Sequence, residues 1–268
     1  METGIPLFDS HCHLYDKPFA ADLDAVFDRA RDAGVVDIMV VGVDADTSLA
    51  AVALAADRPG CHAAVGVHPH DAAACTPDTL LKLERLALDN PGHVRAWGEI
   101  GLDFNRMYSP REDQEAWFVR QLATADTLGL PVIFHERDSG GRFLELLLKH
   151  HRNPGNGVVH CFSGDRDELE AYLEHGYYIG ITGILTLKER GRTLRRQAGR
   201  IPVDRILIET DAPYLTPAPV KNRTRRNEPA YVRFVLERLA ELLGRAPQEL
   251  AAIIRANTCR LFKIRQKD

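Results

Sequence analysis

The sequence predicts a (β/α)8 barrel, a TIM barrel in which eight parallel strands close into a ring surrounded by helices. Eight short apolar runs alternate with amphipathic stretches along the whole chain. The length of 268 residues is close to the roughly 250 that such a barrel needs. No linker, repeat or change of composition divides the chain, so we expect a single domain over residues 1–268. An open doubly wound sheet is the alternative.

The eight apolar runs are rich in valine, isoleucine and aromatic residues, and many are bounded by glycine or proline. Near-continuous apolar runs are typical of strands that are buried on both faces, as in parallel sheets. The predicted strands cover residues 6–12, 37–43, 63–69, 96–102, 131–136, 157–162, 177–183 and 205–209.

Amphipathic stretches follow the strands, and several carry helix-end signals. Pro77 and Pro110 stand at first-turn positions, and Gly34 follows the first helix as a C-terminal cap. The last two helices follow strand eight, so the barrel is expected to carry an extra C-terminal helix. The predicted helices cover residues 20–33, 47–57, 77–89, 110–128, 142–150, 165–175, 188–198, 228–243 and 247–262.

Composition limits the possible functions. The net charge of −4 gives no global sign of nucleic-acid binding, so an anionic substrate must be attracted by a local patch. Five cysteines without a CxxC pair predict free thiols in a reducing compartment. We see no signal peptide and no apolar run near the roughly 20 residues of a membrane span. The expectation is a cytoplasmic protein with no membrane partner.

Histidines and carboxylates stand at the ends of five predicted strands. In a barrel these ends share the C-terminal face, where barrel enzymes place their active sites. Side chains alternate along a strand, so two histidines separated by one residue share a face. The candidate metal ligands are His11, His13, Glu99, His135, His160 and Asp211.

Six such groups on one face indicate a metal site. A single buried histidine is more often a hydrogen-bonded core residue, but six unpaired polar groups would be costly to bury. Four imidazoles and two carboxylates exceed the needs of one tetrahedral zinc ion. They fit two divalent ions about 3.5–4 Å apart, bridged by a carboxylate. The donor types accept Zn, Mg or Mn, and they do not distinguish between these metals.

Nine motifs, in order along the chain, resemble the TatD family of metal-dependent deoxyribonucleases within the amidohydrolase superfamily. The resemblance runs from Asp9 to Phe262, and together the motifs are specific, whereas HxH alone would be weak. The motifs are DSHCHL, VGVHPH, GEIGLDF, PREDQ, FHERD, HCFSGD, ETDAPYLTP, RRNEPAYV and NTCRLF.

The resemblance implies a hydrolase that cleaves phosphodiester bonds, usually in DNA and often as a 3′→5′ exonuclease. It places the same six residues at the metal site. We expect one ion at His11, His13, Glu99 and Asp211, and a second at Glu99, His135 and His160. Water activated between the two ions would attack phosphorus. Glu99, as the bridge, and Asp211, as the acceptor of the water proton, are the predicted catalytic residues.

Five further residues are predicted to assist the site. His68 either contacts the substrate phosphate or closes its strand through a backbone hydrogen bond. Asp9 and Glu209 each stand two residues before a predicted ligand, and we expect them to support ligand histidines. Asp103 and Arg137 have a similar role or pair with each other, and Arg137 is also a candidate substrate contact.

Two segments are locally basic. Residues 186–200 hold six basic residues and one glutamate, and residues 216–226 hold four basic residues. They follow strands seven and eight, the part of a barrel that frequently binds phosphate. We predict that Arg223 and Arg226 contact the backbone of DNA or an oligonucleotide bound by a monomer. A solvated helix face is an equal alternative for the first segment.

Two other functions are compatible with the sequence. The same metal site would serve a hydrolase of another ester or amide, such as an aminoacyl-tRNA deacylase. A barrel used for binding or protein quality control is the other alternative, although the complete ligand set argues against it. An assay of DNA, RNA and aminoacyl-tRNA side by side separates these possibilities.

Overall fold

The computed structural model describes residues 5–265. Within them, eight parallel strands form one sheet in sequential order, so each strand pairs with the next along the chain. This confirms the predicted (β/α)8 barrel. The strands are β1 Leu7–Cys12, β2 Val35–Val41, β3 Cys61–Val65, β4 Val94–Asp103, β5 Val132–Arg137, β6 Gly157–Val159, β7 Tyr178–Ile181 and β8 Ile206–Ile208.

Ten helices are present in the same range, most of them on the outside of the barrel. Two predicted helices, 77–89 and 142–150, have the bounds that the sequence indicated. Capping boxes at Asp44, Thr76 and Asp165 begin three of the helices. The helices are α1 Leu23–Asp32, α2 Ala45–Asp57, α3 Pro77–Asp89, α4 Arg111–Leu128, α5 Arg142–His150, α6 Arg166–Glu174, α7 Arg192–Gln197, α8 Ala218–Lys221, α9 Val232–Leu243 and α10 Pro247–Leu261.

Some element bounds differ from the prediction. β2 begins at Val35, two residues earlier than predicted, and includes Asp37, which pairs with Arg255 of α10. Because a tertiary partner satisfies this carboxylate, the polar residue does not interrupt the strand. The predicted helix 188–198 shortens to α7, because residues 188–191 form a turn and Ala198–Arg200 form a separate 3-10 helix.

The strands are buried on both faces, which explains their continuous apolar sequence. One apolar cluster fills the barrel interior, and a larger one lies between the strands and the helices. The end of α10 covers the N-terminal end of the barrel, where Phe262 packs 6.3 Å from the ring of Phe8. No helix in the described range is long and apolar enough to cross a bilayer.

Gly101 allows β4 and β5 to approach closely beneath the candidate site. It pairs with His135, has φ of 151°, and a Cβ built on it would lie 1.8 Å from the carbonyl oxygen of His135. We therefore expect Gly101→Ala to lower the free energy of unfolding by about 3 kcal/mol or more, because the strands must separate. Urea unfolding measures the change.

The matched control is Gly92→Ala, since a Cβ at Gly92 meets no atom within 4 Å. This substitution should leave the unfolding midpoint nearly unchanged. Equal stabilities of the two variants would contradict the close approach at Gly101.

Candidate active site

The six predicted ligands meet at the C-terminal end of the barrel. β1 supplies His11 and leads directly into His13, while β4 supplies Glu99 and β5 supplies His135. The remaining two follow directly after β6 and shortly after β8. We call the set the donor cluster; it comprises His11, His13, Glu99, His135, His160 and Asp211.

Closure of the barrel positions Asp211. β8 ends at Ile208, but a parallel bridge between Cys12 and Ala212 joins the following residues to β1. The backbone N–H of Asp211 donates to the carbonyl of His11 at 2.9 Å, and that of His13 donates to Ala212 at 2.7 Å. Asp211 itself has a left-handed backbone with φ of 57°, which is uncommon for a residue other than glycine. The seam of the barrel therefore brings Asp211 to both histidines.

Glu99 is the centre of the donor cluster. Its Oε2 lies 3.2 Å from Nε2 of His11, and its Oε1 lies 2.8 Å from Nδ1 of His135 and 3.6 Å from Nε2 of His160. Burial of this carboxyl would raise its pKa, but the neighbouring imidazoles, His160 foremost, outweigh burial and hold the pKa well below its usual range. Glu99 is therefore a buried carboxylate that faces both halves of the cluster.

The donor atoms form groups that are compact enough to hold cations. In one group, the ligand atoms of His11, His13 and Glu99 all lie within 4.8 Å of one another, and Glu99, His135 and His160 form another. The Nε2 atoms of His11 and His13 are only 3.2 Å apart. Two imidazole nitrogens and a carboxylate oxygen at such distances suit Zn or a similar divalent ion.

Two carboxylates behind the cluster orient its rings. Oε1 of Glu209 lies 2.9 Å from Nδ1 of His160, and Nε2 of His135 donates to Oδ2 of Asp103 at 3.1 Å. Burial opposes a charge on either ring, but in His135 the bonds to Asp103 and Glu99 outweigh it and raise the pKa to about 9. In His160 the negative charges of Glu209 and Glu99 raise the pKa to about 10. The field that favours a proton here also favours a cation.

Asp103→Asn is expected to weaken metal binding by about 10- to 100-fold, because His135 loses the charged acceptor that fixes its ring. Titration of chelator-treated protein with Mn or Zn measures the affinity. Asp32→Asn, at an exposed aspartate of α1, is the matched control. If both variants bind metal like the unmodified chain, Asp103 does not orient His135.

His70 contributes a contact that the sequence reasoning did not assign. Its Nε2 donates to Oδ2 of Asp103 at 2.8 Å, the same oxygen that accepts from His135. The backbone N–H of His70 donates to Nδ1 of His68, whose Nε2 lies 3.5 Å from Glu99. His68 thus makes the predicted backbone bond and also faces the cluster. The His-Pro-His spacing in VGVHPH was the available signal for His70.

The structure places Asp9 differently from the prediction, whereas Asp103 makes the first of its two predicted contacts, with a ligand histidine. A register irregularity between Asp9 and Cys12 breaks the simple alternation along β1. The carboxylate of Asp9 accepts from the backbone N–H and the hydroxyl of Thr210, at 2.8 and 2.6 Å, and from the backbone N–H of His11 at 3.5 Å. No imidazole ring within residues 5–265 donates to it. Asp9 therefore supports the loop after β8. Asp103 bonds to imidazoles and does not pair with Arg137.

Arg226 is used within the fold. Its guanidinium donates to Asp22 and Glu228 and lies 5.1 Å above the ring centre of Phe19. Neither Arg226 nor the exposed Arg223 lines the pocket over the donor cluster. The linear charge count did not reveal these acidic partners, and a substrate contact by Arg226 stays a prediction.

An open pocket of about 600 Å³ lies over the donor cluster. It is lined by Arg106, Arg137 and Arg190, and the predicted contact of Arg137 with substrate stays a prediction. Tyr108 and Tyr214 also line it, with 66% and 55% of their surface exposed. Cationic side chains and exposed rings around a buried cluster suit a ligand that carries both phosphates and bases.

Residues 8–263 match the sequence profile of the family described as TatD related DNase. The chain belongs to this family. It is therefore a hydrolytic enzyme of the nuclease type, and the resemblance seen in the nine motifs is confirmed. The family is metal-dependent, and the donor cluster supplies groups that can bind metal ions.

Named relatives cover almost the whole of this TatD-family chain. The 3′-5′ ssDNA/RNA exonuclease TatD of Yersinia pseudotuberculosis is 42% identical over 96% of the chain and 100% of its own length. The protein of the same name from Erwinia billingiae is 43% identical over 96% and 99%. The crystal structure of YjjV, a TatD homolog from Escherichia coli K12, is 31% identical, covers 97% and 98%, and superposes with a TM-score of 0.87.

Proposed function

We propose that this TatD-family chain is a two-metal 3′→5′ exonuclease that cleaves the phosphodiester bonds of single-stranded DNA. The observation that carries the proposal is the convergence of the six donors, with Glu99 at their centre, beneath an open, cation-lined pocket. The names of the relatives support the single-stranded substrate and the direction of cleavage. RNA is included among the substrates of those relatives, so it belongs in the same assay.

The ligand assignment starts from two of the compact groups of donor atoms and adds Asp211, whose Oδ1 lies 3.4 Å from Nε2 of His13. His11, His13, Glu99 and Asp211 would hold one ion, while Glu99, His135 and His160 would hold the second. When bound, two divalent ions neutralise phosphoryl charge and lower the pKa of water. Glu99 would serve both positions because its two oxygens face different histidines.

Asp211 is suited to accept a proton from the attacking water. Its Oδ1 lies 3.4 Å from Nε2 of His13, and its side chain is 15% exposed to the pocket whereas that of Glu99 is 3% exposed. Burial would raise the pKa of Asp211, but the bond to His13 and the nearby imidazoles outweigh it and lower the pKa. The group is thus ionised at neutral pH and faces the pocket, as a general base requires.

Cationic side chains in the pocket wall would bind the substrate, although the net charge of the whole chain is negative. Arg106, Arg137 and Arg190 would neutralise backbone phosphates next to the scissile bond. Tyr108 and Tyr214 expose their rings at the rim and would stack on unpaired bases. Stacking of this kind favours single strands, because the bases of a duplex are covered by their neighbours.

We also infer a cytoplasmic enzyme that acts as a monomer. The cysteines form no disulfide in the described part of the chain, which fits a reducing compartment. One copy of the chain supplies all six donors, so the cluster does not require a second subunit.

The deciding experiment is hydrolysis of a 5′-labelled single-stranded DNA by chelator-treated protein, with Mg, Mn or Zn added back. We expect a ladder of products that shorten from the 3′ end only when metal is present, and no products from His135→Ala. RNA and aminoacyl-tRNA are assayed with the same preparation. If metal-loaded protein leaves DNA and RNA intact but deacylates aminoacyl-tRNA, the phosphodiesterase proposal fails and the alternative ester hydrolase replaces it.

A further inference from the structure

A second cavity, of about 950 Å³, lies at the other end of the barrel. Its walls come from the starts of the strands, from α10 and from the residues after α10. A barrel strand of six residues spans about 20 Å, so this cavity is separate from the donor cluster. We call it the lower pocket; its polar lining residues are Asp37, His62, Arg95, Gln248, Arg255, Lys263 and Arg265.

The lower pocket carries an excess of positive charge. Four of its lining residues are arginine or lysine, and Asp37 is the one carboxylate among the lining residues that the structure describes. That carboxylate is already engaged, since it accepts from Arg255 at 3.1 Å and lies 3.3 Å from Nε2 of His62. Three positive charges in the pocket therefore have no carboxylate beside them among the described lining residues, those of Arg95, Lys263 and Arg265. This local excess stands in a chain whose net charge is −4.

Two guanidinium groups in this pocket have donors that are not used. Nε of Arg95 and Nε of Arg255 are buried and have no hydrogen-bond partner within residues 5–265. Buried donors of this kind are rare in folded proteins, because an unmet donor loses its bonds to water and gains nothing in return. Because these two Nε atoms have almost no accessible surface, a ligand in the pocket would contact the terminal amino groups of the guanidinium instead. A phosphate group offers several acceptor oxygens to such donors.

The remaining wall is apolar. It is formed by Ile5, Pro6, Val36, Pro59 and Ile264. Inorganic phosphate would occupy a small part of 950 Å³ and would leave this wall uncovered. A ligand that joins a phosphate to a flat, weakly polar body would cover both, and the volume lies in the range of small-molecule sites.

From this combination we infer that the lower pocket binds a nucleoside monophosphate, with the phosphate held by Arg95 and Arg265 and the base against the apolar wall. The inference does not depend on the reaction at the donor cluster. It assigns the chain a second ligand site at the N-terminal end of the barrel. The occupancy of this site would depend on the nucleotide concentration and not on the reaction at the donor cluster.

Calorimetric titration of the full, chelator-treated chain tests the site, with 5′-dAMP, inorganic phosphate and deoxyadenosine as separate probes. Chelation prevents metal ions in the donor cluster from binding the phosphate. We expect saturable binding of dAMP at least tenfold tighter than that of inorganic phosphate, and no binding of deoxyadenosine. Arg95→Gln and Arg265→Gln should each weaken dAMP binding at least tenfold.

Arg85→Gln, at an exposed arginine of α3, is the matched control and should bind dAMP normally. Arg265 is exposed near the end of the described range, so its substitution tests the site even if Arg95→Gln fails to fold. Equal affinities for dAMP and phosphate would overturn the nucleotide assignment. Absence of binding, or binding that survives both pocket substitutions, would overturn the site itself.

Discussion

Asp211→Asn is expected to lower kcat by about 10³-fold while the affinity for single-stranded DNA changes little. The amide keeps the size of the side chain and one oxygen near His13, but it cannot accept a proton from water. The cations and rings of the pocket wall, which would bind the substrate, are unaffected. Single-turnover cleavage and fluorescence anisotropy measure the two quantities, and metal content is measured on the same sample.

Asp16→Asn provides a nearby control. Asp16 also lines the pocket, and it accepts a hydrogen bond from the hydroxyl of Tyr214 at 2.9 Å, but it does not belong to the donor cluster. We expect its variant to keep kcat within about tenfold of the unmodified enzyme. Near-normal turnover by Asp211→Asn with a full metal content would show that another group accepts the proton.

Glu99→Gln should nearly abolish the rise in Tm that added metal causes. For the unmodified chain, adding metal at about 1,000 times its dissociation constant contributes about 4 kcal/mol, which raises Tm by roughly 10 °C for a chain of this size. Glutamine keeps the volume of the buried side chain, but it lacks the charge that both groups of histidines face. We therefore expect a rise of less than about 2 °C in the variant.

Thermal unfolding of chelator-treated protein, with and without Mn or Zn, gives this result without any activity assay. Glu174→Gln, at an exposed glutamate of α6, is the control and should retain the full rise in Tm. A rise of the same size in Glu99→Gln would mean that the ions bind without the central carboxylate. The two-metal arrangement around Glu99 would then be wrong.

The order and type of the elements could be predicted because the periodicity is local and strong. Strands buried on both faces are continuous apolar runs, and helix α3 begins with a capping residue and a proline in its first turn. The face of the barrel that carries the site was also predictable, since parallel strands deliver their C-terminal ends to one side. All six donors follow from this rule and from the types of their side chains.

Contacts between residues distant in sequence were not predictable in the same way. Side-chain alternation predicted that Asp9 lies beside the histidines. Because β1 is irregular after Asp9, its carboxylate instead accepts a hydrogen bond from Thr210. The local excess of basic residues predicted that Arg226 contacts the substrate. In the structure its guanidinium donates to Asp22, which lies some 200 residues earlier in the chain. A pattern of single residues contains no information about which distant partner satisfies a charge.

The sequence by itself determined the barrel, the catalytic face and the donor types, because each depends on local periodicity and on the common direction of the strands. Tertiary structure alone decided how the donors meet. The seam between β1 and the segment after β8 sets Asp211 against His11, and the close approach at Gly101 sets His135 against Glu99. These distances depend on the register and closure of the whole ring, which no single segment encodes.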